Sequence, residues 1–161
     1  MQRSMILFLF ALLMVSRAMA AQLEARHDMS AGTISIFRSG EDKPILMQNA
    51  RPDFRPYIHP IVAPDGRGVL TEYSPAHHPH QTGLYWGFTR VNGRDYFHHP
   101  KGDYWRRVLA MVLKPKSSPT DLNVRWQTVY DLLDADGKAI DEVMLQVNDE
   151  GRLSIARKRD V

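Results

Sequence analysis

The chain of 161 residues contains no cysteine. Disulfides, zinc–thiolate sites, iron–sulfur clusters and thiol nucleophiles are therefore excluded from the start. Net charge is also scarce, since 21 Lys and Arg against 18 Asp and Glu leave only +3 with histidine neutral. Two of those cations, Arg3 and Arg17, lie in the first twenty residues. No basic stripe of the kind that tracks a phosphate backbone is present, so no nucleic-acid partner is expected. The run Arg157-Lys158-Arg159 reads as a solvated tail. Beyond residue 20 no stretch approaches the roughly 18 apolar residues that a membrane-spanning helix requires. Nor is there an HExxH metal motif. With 24% charged and 43% apolar residues, the composition excludes disordered and collagen-like chains.

What is present begins with an address. Residues 1–20 combine a basic start at Arg3, an unbroken apolar run from Met5 to Val15, and small Ala18 and Ala20 flanking Met19. Those are the parts of a secretory signal peptide. As a helix the apolar run rises only about 16 Å, against a hydrocarbon core of roughly 30 Å. The plain alternative is a buried N-terminal helix. We read residues 1–20 as a signal peptide cleaved before Ala21, which predicts an exported protein, periplasmic or extracellular, with no membrane span in the mature chain. No cysteine follows the run, so a bacterial lipid anchor is excluded.

Residues 21–161 read as one all-β domain, an antiparallel β-sandwich. Thr33–Phe37 is β-branched with Ile34 and Ile36 on one face, and Pro44–Asn49 follows across the turn Ser39–Asp42. Tyr57–Ala63 is interrupted by Pro60, which predicts an edge position or a bulge. Leu84–Val91 meets Asn92-Gly93, a strong two-residue hairpin signal, and Arg94–Phe97 is expected to return beside it. Trp105–Leu113 forms a further strand. In Leu122–Leu132 the residues Leu122, Val124, Trp126, Thr128, Tyr130 and Leu132 share one parity, the signature of a half-buried strand. Ala139–Val147 alternates again, and Leu153–Ile155 opens a last strand after the turn Asn148–Gly151. No capped helix follows the first segment. Because the chain ends so soon after that last strand begins, we expect residues 21–161 to be the N-terminal part of a larger sandwich.

Six of the seven histidines fall between residues 59 and 99: His59, His77, His78, His80, His98 and His99. In an extended segment His78 and His80 project to the same side. Pro79 between them stiffens the backbone, and His59-Pro60 and His99-Pro100 bias two more histidines to extended conformations. Rigidly presented imidazoles suit general acid–base catalysis near neutral pH. They equally suit a transition-metal site, for which His59, His78 and His80 are the candidate ligands. The plain alternative has them donating to carbonyls near turns, the stronger reading for His77, His98 and His99. Nearby lie Tyr57, Tyr73, Tyr85, Trp86, Tyr96, Tyr104 and Trp105, whose flat faces and polar edges suit stacking on sugar rings. Arg55, Arg90, Arg94 and Arg106 could anchor carboxylate or hydroxyl groups. Against this, Trp86 and Trp126 also fit a sandwich core.

Three blocks, Arg55–Pro60, Ser74–Leu84 and Val91–Phe97, resemble the exported bacterial family labelled "methane oxygenase PmoA". The resemblance covers roughly residues 30–157 and implies a large all-β sandwich with a role in glycan breakdown. Many members carry a second histidine where this chain has Gln81, so no role is assigned to that side chain. Methane oxidation itself is not expected, because the monooxygenase subunit of that name spans the membrane several times and this mature chain has no spanning segment. The block His78-Pro79-His80-Gln81-Thr82-Gly83-Leu84 is similar, more loosely, to the imidazole segment of aldose mutarotases, an analogy at the level of fold.

The leading expectation is thus an exported protein that binds or modifies a carbohydrate-like small molecule. His78 and His80, assisted by His59, would act on a substrate oxygen, while Arg55, Tyr57, Trp86 and Arg94 would position the sugar. The alternatives are an oxygenase or hydrolase with a divalent transition metal on His59, His78 and His80, and a non-catalytic binding module.

Overall fold

Strands form where alternating apolar side chains have a common face to bury, and the chain supplies such alternation repeatedly. The computed structural model describes residues 22–114, 124–147 and 152–158. The segment read as a signal peptide, residues Leu122 and Asn123, and the turn at 148–151 lie outside the described residues. Strands β1 (Leu23–Asp28), β2 (Thr33–Arg38), β3 (Leu46–Asn49), β4 (Tyr57–Ile61) and β5 (Leu84–Tyr85) pair in chain order as one antiparallel sheet. A second antiparallel sheet holds β6 (Trp105–Leu113), β7 (Arg125–Leu133), β8 (Ala139–Val147) and β9 (Leu153–Lys158), again in chain order. Two successive meanders therefore make an all-β sandwich, with no helix among the described residues.

The core follows the parity read from the sequence. Trp126, Tyr130 and Leu132 of β7 and Val143, Leu145 and Val147 of β8 face Ile34 and Ile36 of β2 and Ile58 of β4. Each large side chain so buried stabilises the fold by about 1.5–3 kcal/mol relative to exposure. Polar ties cross between the sheets as well: Tyr130 Oη of β7 donates to the Arg51 carbonyl at 2.9 Å, and a second tie lies in the core itself. Buried Gln48 of β3 donates to Thr128 Oγ1 at 2.7 Å and accepts from the Trp126 indole nitrogen, both on β7. The long connection from β5 to β6 is pinned to the second sheet as well, where Tyr96 Oη donates to the Leu133 carbonyl at 2.6 Å. An apolar cleft of about 260 Å3 lies between the sheets, lined by Ile36, Leu46, Ile58, Trp126, Val147 and Leu153 among others.

Two expectations need adjusting. The strand foreseen over Leu84–Val91 stops at Tyr85. Gly87 lies against Phe97, so close that a Cβ there would sit 2.7 Å from the Phe97 Cα, and Arg90 takes a left-handed φ of 58°. Neither is compatible with a continuing ladder. The Asn92-Gly93 turn does form, with φ of 46° and 80° and paired 3.0 Å backbone bonds between Val91 and Arg94, but it closes a single bridge rather than a hairpin of two strands. Conversely, β1 was not foreseen, although Leu23, Ala25 and His27 turn partly inward in alternation. Pro60 does mark a bulge, since Leu46 and Gln48 of β3 face Ile61 and Ile58 of β4, which leaves one extra residue on β4.

Candidate functional site

The segment Tyr73–Thr82 is a closed loop. Tyr73 and Thr82 form a β-bridge at its base, and the Ser74 N–H donates to the Gln81 carbonyl at 2.5 Å. Within it the His78 N–H bonds the Pro75 carbonyl at 2.8 Å and the Gln81 N–H bonds the His78 carbonyl at 3.0 Å. Two tight turns therefore satisfy the backbone locally and turn the side chains outward. His77 and His78 meet edge to face at 4.9 Å, and His78 meets His80 at 5.7 Å between ring centroids. His78 and His80 thus come together through these turns, not through the extended backbone that the sequence reading assumed.

The next ring in that row comes from a different segment. His80 contacts His98 at 4.6 Å, and Phe97 packs on both, at 5.4 Å from His80 and 4.9 Å from His98. Asp95 builds the turn that presents His98. Its Oδ1 accepts the N–H groups of Phe97 and His98 at 2.9 and 3.2 Å, and its Oδ2 lies 2.6 Å from His98 Nδ1. A carboxylate on Nδ1 sets the ring orientation and makes Nε2 the atom available to a ligand. Burial pushes the Asp95 carboxyl upward, but the hydrogen bonds from His98 and Phe97 outweigh it and hold the group below its ordinary range. His80 is pushed below the usual imidazole value, first by desolvation and then by His98, His78 and Arg55, with Asp95 opposing.

Beneath both segments lies Arg55, which has no solvent exposure. Its guanidinium donates to the carbonyls of Phe97 and His80, the latter at 2.6 Å, and to Thr82 Oγ1 at 3.2 Å. It also stacks 3.9 Å over the Tyr85 ring. Burial lowers its pKa to about 10. Arg55 therefore does not anchor a ligand, as the sequence had suggested; it joins the backbone behind His80 to the backbone before His98. Trp86 is similarly removed from a ligand, being 8% exposed and part of the core.

The remaining predicted residues sit in other neighbourhoods. His59 hydrogen-bonds Thr71 Oγ1 through Nδ1 at 2.9 Å and packs 5.6 Å from the Tyr73 ring. Tyr57 lies between Phe54 and Tyr73 at 6.0 and 5.5 Å, and burial, aided by Tyr73, pushes its phenol up to about 12. Arg94 stacks 4.0 Å over Tyr104 and donates to the Asp103 carbonyl at 3.0 Å, while His99 stacks on that same Tyr104 ring at 4.6 Å. The expected single hollow of imidazoles, aromatics and arginines is thus not assembled. The metal-ligand set His59, His78 and His80 is not assembled either: no three His, Asp or Glu side chains converge as ligands among the described residues. What sequence reasoning missed is the Asp95–His98 pair. Its signal was an Asp three residues before a His, a spacing that an aspartate-built turn brings into contact.

Against this geometry the matching span of a known family can be set. The span 42–138 matches the profile of a family of unknown function, DUF6807. The chain belongs to that family. The DUF6807 match covers more than half of the sequence and includes His59, Arg55, the whole Tyr73–Thr82 loop and the Asp95–His98 turn, whereas β1, β2, β8 and β9 lie outside it. Neither the curated proteins nor the solved structures give a significant match to the chain.

Proposed function

We propose that this DUF6807 protein is an exported, PmoA-like protein that binds or modifies a carbohydrate at the row formed by His77, His78, His80 and His98. The observation that carries this reading is the pairing of two dissimilar imidazoles. His98 is oriented by Asp95 at 2.6 Å, and His80, 4.6 Å away, is biased toward its neutral form. An oriented imidazole beside a neutral one can accept a proton from one hydroxyl while donating a hydrogen bond to another, the demand a polyol substrate makes. Tyr73, 46% exposed at the foot of the same loop and packed on Tyr57 and His59, offers an open ring face for a sugar.

A second reading, binding without turnover, is favoured by the exposure of His77, His78 and His98, because acid–base chemistry gains most where water is excluded. Both readings are tested with purified full chain on a glycan array, followed by product analysis on any sugar bound. Binding that is lost in His98→Ala and in Tyr73→Ala supports the site. Binding without product assigns the protein to the second reading, and no binding to any glycan overturns both.

A further inference from the structure

A polar hollow of about 480 Å3 lies apart from the imidazole row, enclosed by Thr89–Asn92, by Ile140 and Asp141 at the start of β8, and by Arg157 of β9. Asp141 occupies an inward position of β8, in phase with Val143, Leu145 and Val147, and its side chain is only 2% exposed. A carboxylate buried at a core position requires donors. Its Oδ1 accepts the Glu142 N–H at 2.9 Å and its Oδ2 is paired with Arg157 Nε. Both oxygens are thus engaged, whereas Arg157 gives Asp141 only one of its three nitrogens.

Across the hollow stands Arg90, exposed and held at φ 58°. A left-handed backbone is unfavourable for an arginine, and such outliers are retained where the surroundings impose them. The neighbouring Asn92-Gly93 turn accounts for its own positive φ values, but Arg90 lies outside those two turn positions. Two arginines and one fully engaged carboxylate thus line the hollow, with Thr89 and Asn92 as neutral neighbours and the Arg157 guanidinium 5.4 Å from the centre of the Phe88 ring. No other acidic side chain lines the hollow among the described residues.

We infer that this hollow is a second binding site, one that takes a small molecule through a carboxylate group held between Arg90 and Arg157. The planar guanidinium fork matches a carboxylate in two parallel hydrogen bonds. Asp141 positions Arg157 and offsets one of the two positive charges, so the hollow keeps a net positive charge for an anionic ligand.

The test uses isotope-labelled full chain titrated with glucuronate, with glucose as neutral control and with inorganic phosphate as dianion. Glucuronate is expected to shift the amides of Val91, Asn92, Asp141 and Arg157 saturably, and phosphate to bind no more tightly, because recognition rests on the match of a planar guanidinium fork to a planar carboxylate rather than on charge alone. Glucose leaves those amides in place. Arg90→Gly should weaken glucuronate binding by about fivefold or more while the melting temperature holds or rises, since glycine suits the backbone there. Arg90→Asn, which also tolerates a left-handed φ, should lose affinity alike. Shifts that never saturate, glucose acting as strongly as glucuronate, or both Arg90 variants binding within about twofold of the parent chain overturn the site. Phosphate binding more tightly than glucuronate overturns the carboxylate assignment.

Discussion

Arg55 shows how much a single side chain can determine. It is a buried cation with no carboxylate in contact among the described residues, Asp95 acting on it only from a distance, and what compensates its burial is a set of backbone carbonyls from two segments far apart in sequence. Arg55→Met would leave the His80 and Phe97 carbonyls without their donor while relieving the burial of charge. The unpaired carbonyls dominate, and we expect a net loss of about 2–3 kcal/mol in urea denaturation. Arg55→Lys keeps the charge but cannot reach both carbonyls at once, so its loss should be intermediate. A Met variant as stable as the parent would show the clamp to be idle. Histidines give the molecule a pH dependence of definite sign. His80 is lowered by desolvation and neighbouring cations, and His27 by burial and then Arg107. The unfolded chain then binds more protons than the folded one between their folded values and the ordinary value of about 6.5. Stability therefore rises with pH through that window and is lost on acidification below about 6.5. Melting temperatures across that range should fall toward acid, and His80→Gln should flatten the fall.

At the scale of elements, legibility followed burial. β8 has the bounds that alternation predicts, because each residue there is set by which face it occupies, and β6 has those read from its run rich in Val, Leu and Met, although its register shifts between Arg107 and Leu109. Leu84–Val91 is aromatic and apolar enough to read as a strand, yet a close approach between Gly87 and Phe97 ends it, and that approach is a tertiary fact invisible in local pattern. The candidate site divides the same way. Local spacing foresees His78 and His80 as neighbours, though on an extended backbone that two turns replace, and it takes the folded chain to bring His98 beside them and to place Arg55 underneath. Gly83 is the element-scale hinge of this arrangement. It has φ 81° between the histidine loop and β5, and a Cβ there would lie 2.5 Å from the Ile58 carbonyl oxygen and 2.7 Å from His59 Cβ. Gly83→Ala combines left-handed strain with a backbone clash, for an expected cost of about 3 kcal/mol, whereas Gly93→Ala, with open space around it, should cost only about 1 kcal/mol. Chemical denaturation of the two variants side by side separates clash from conformational strain.

Over the whole molecule, the question is what makes two consecutive meanders one cooperative unit. Among the described residues, backbone bonds join them only at the β3–β4 connection, where the Arg107 N–H donates to the Pro52 carbonyl at 2.9 Å and the Arg55 N–H to that of Pro100 at 2.7 Å, so cohesion across the core depends on side chains. Apolar contact supplies most of it but is nearly indifferent to how one sheet slides over the other. Gln48 removes that freedom. Its amide is fully buried and reaches from β3 to two residues of β7, Trp126 and Thr128, which are neighbours on the same inward face. Gln48→Leu preserves volume and apolar packing yet strands the Trp126 N–H and the Thr128 hydroxyl in the interior. The expected loss is about 2–4 kcal/mol, more than burial of an extra apolar group returns. Pairing Gln48→Leu with Thr128→Val should recover part of that loss, since the hydroxyl is then no longer stranded. If the tie also enforces register, the Gln48→Leu transition should broaden, with tryptophan fluorescence and far-ultraviolet dichroism no longer coincident. Coincident transitions with undiminished stability would instead assign cohesion to the apolar core and to the remaining ties, such as Tyr130 Oη to the Arg51 carbonyl.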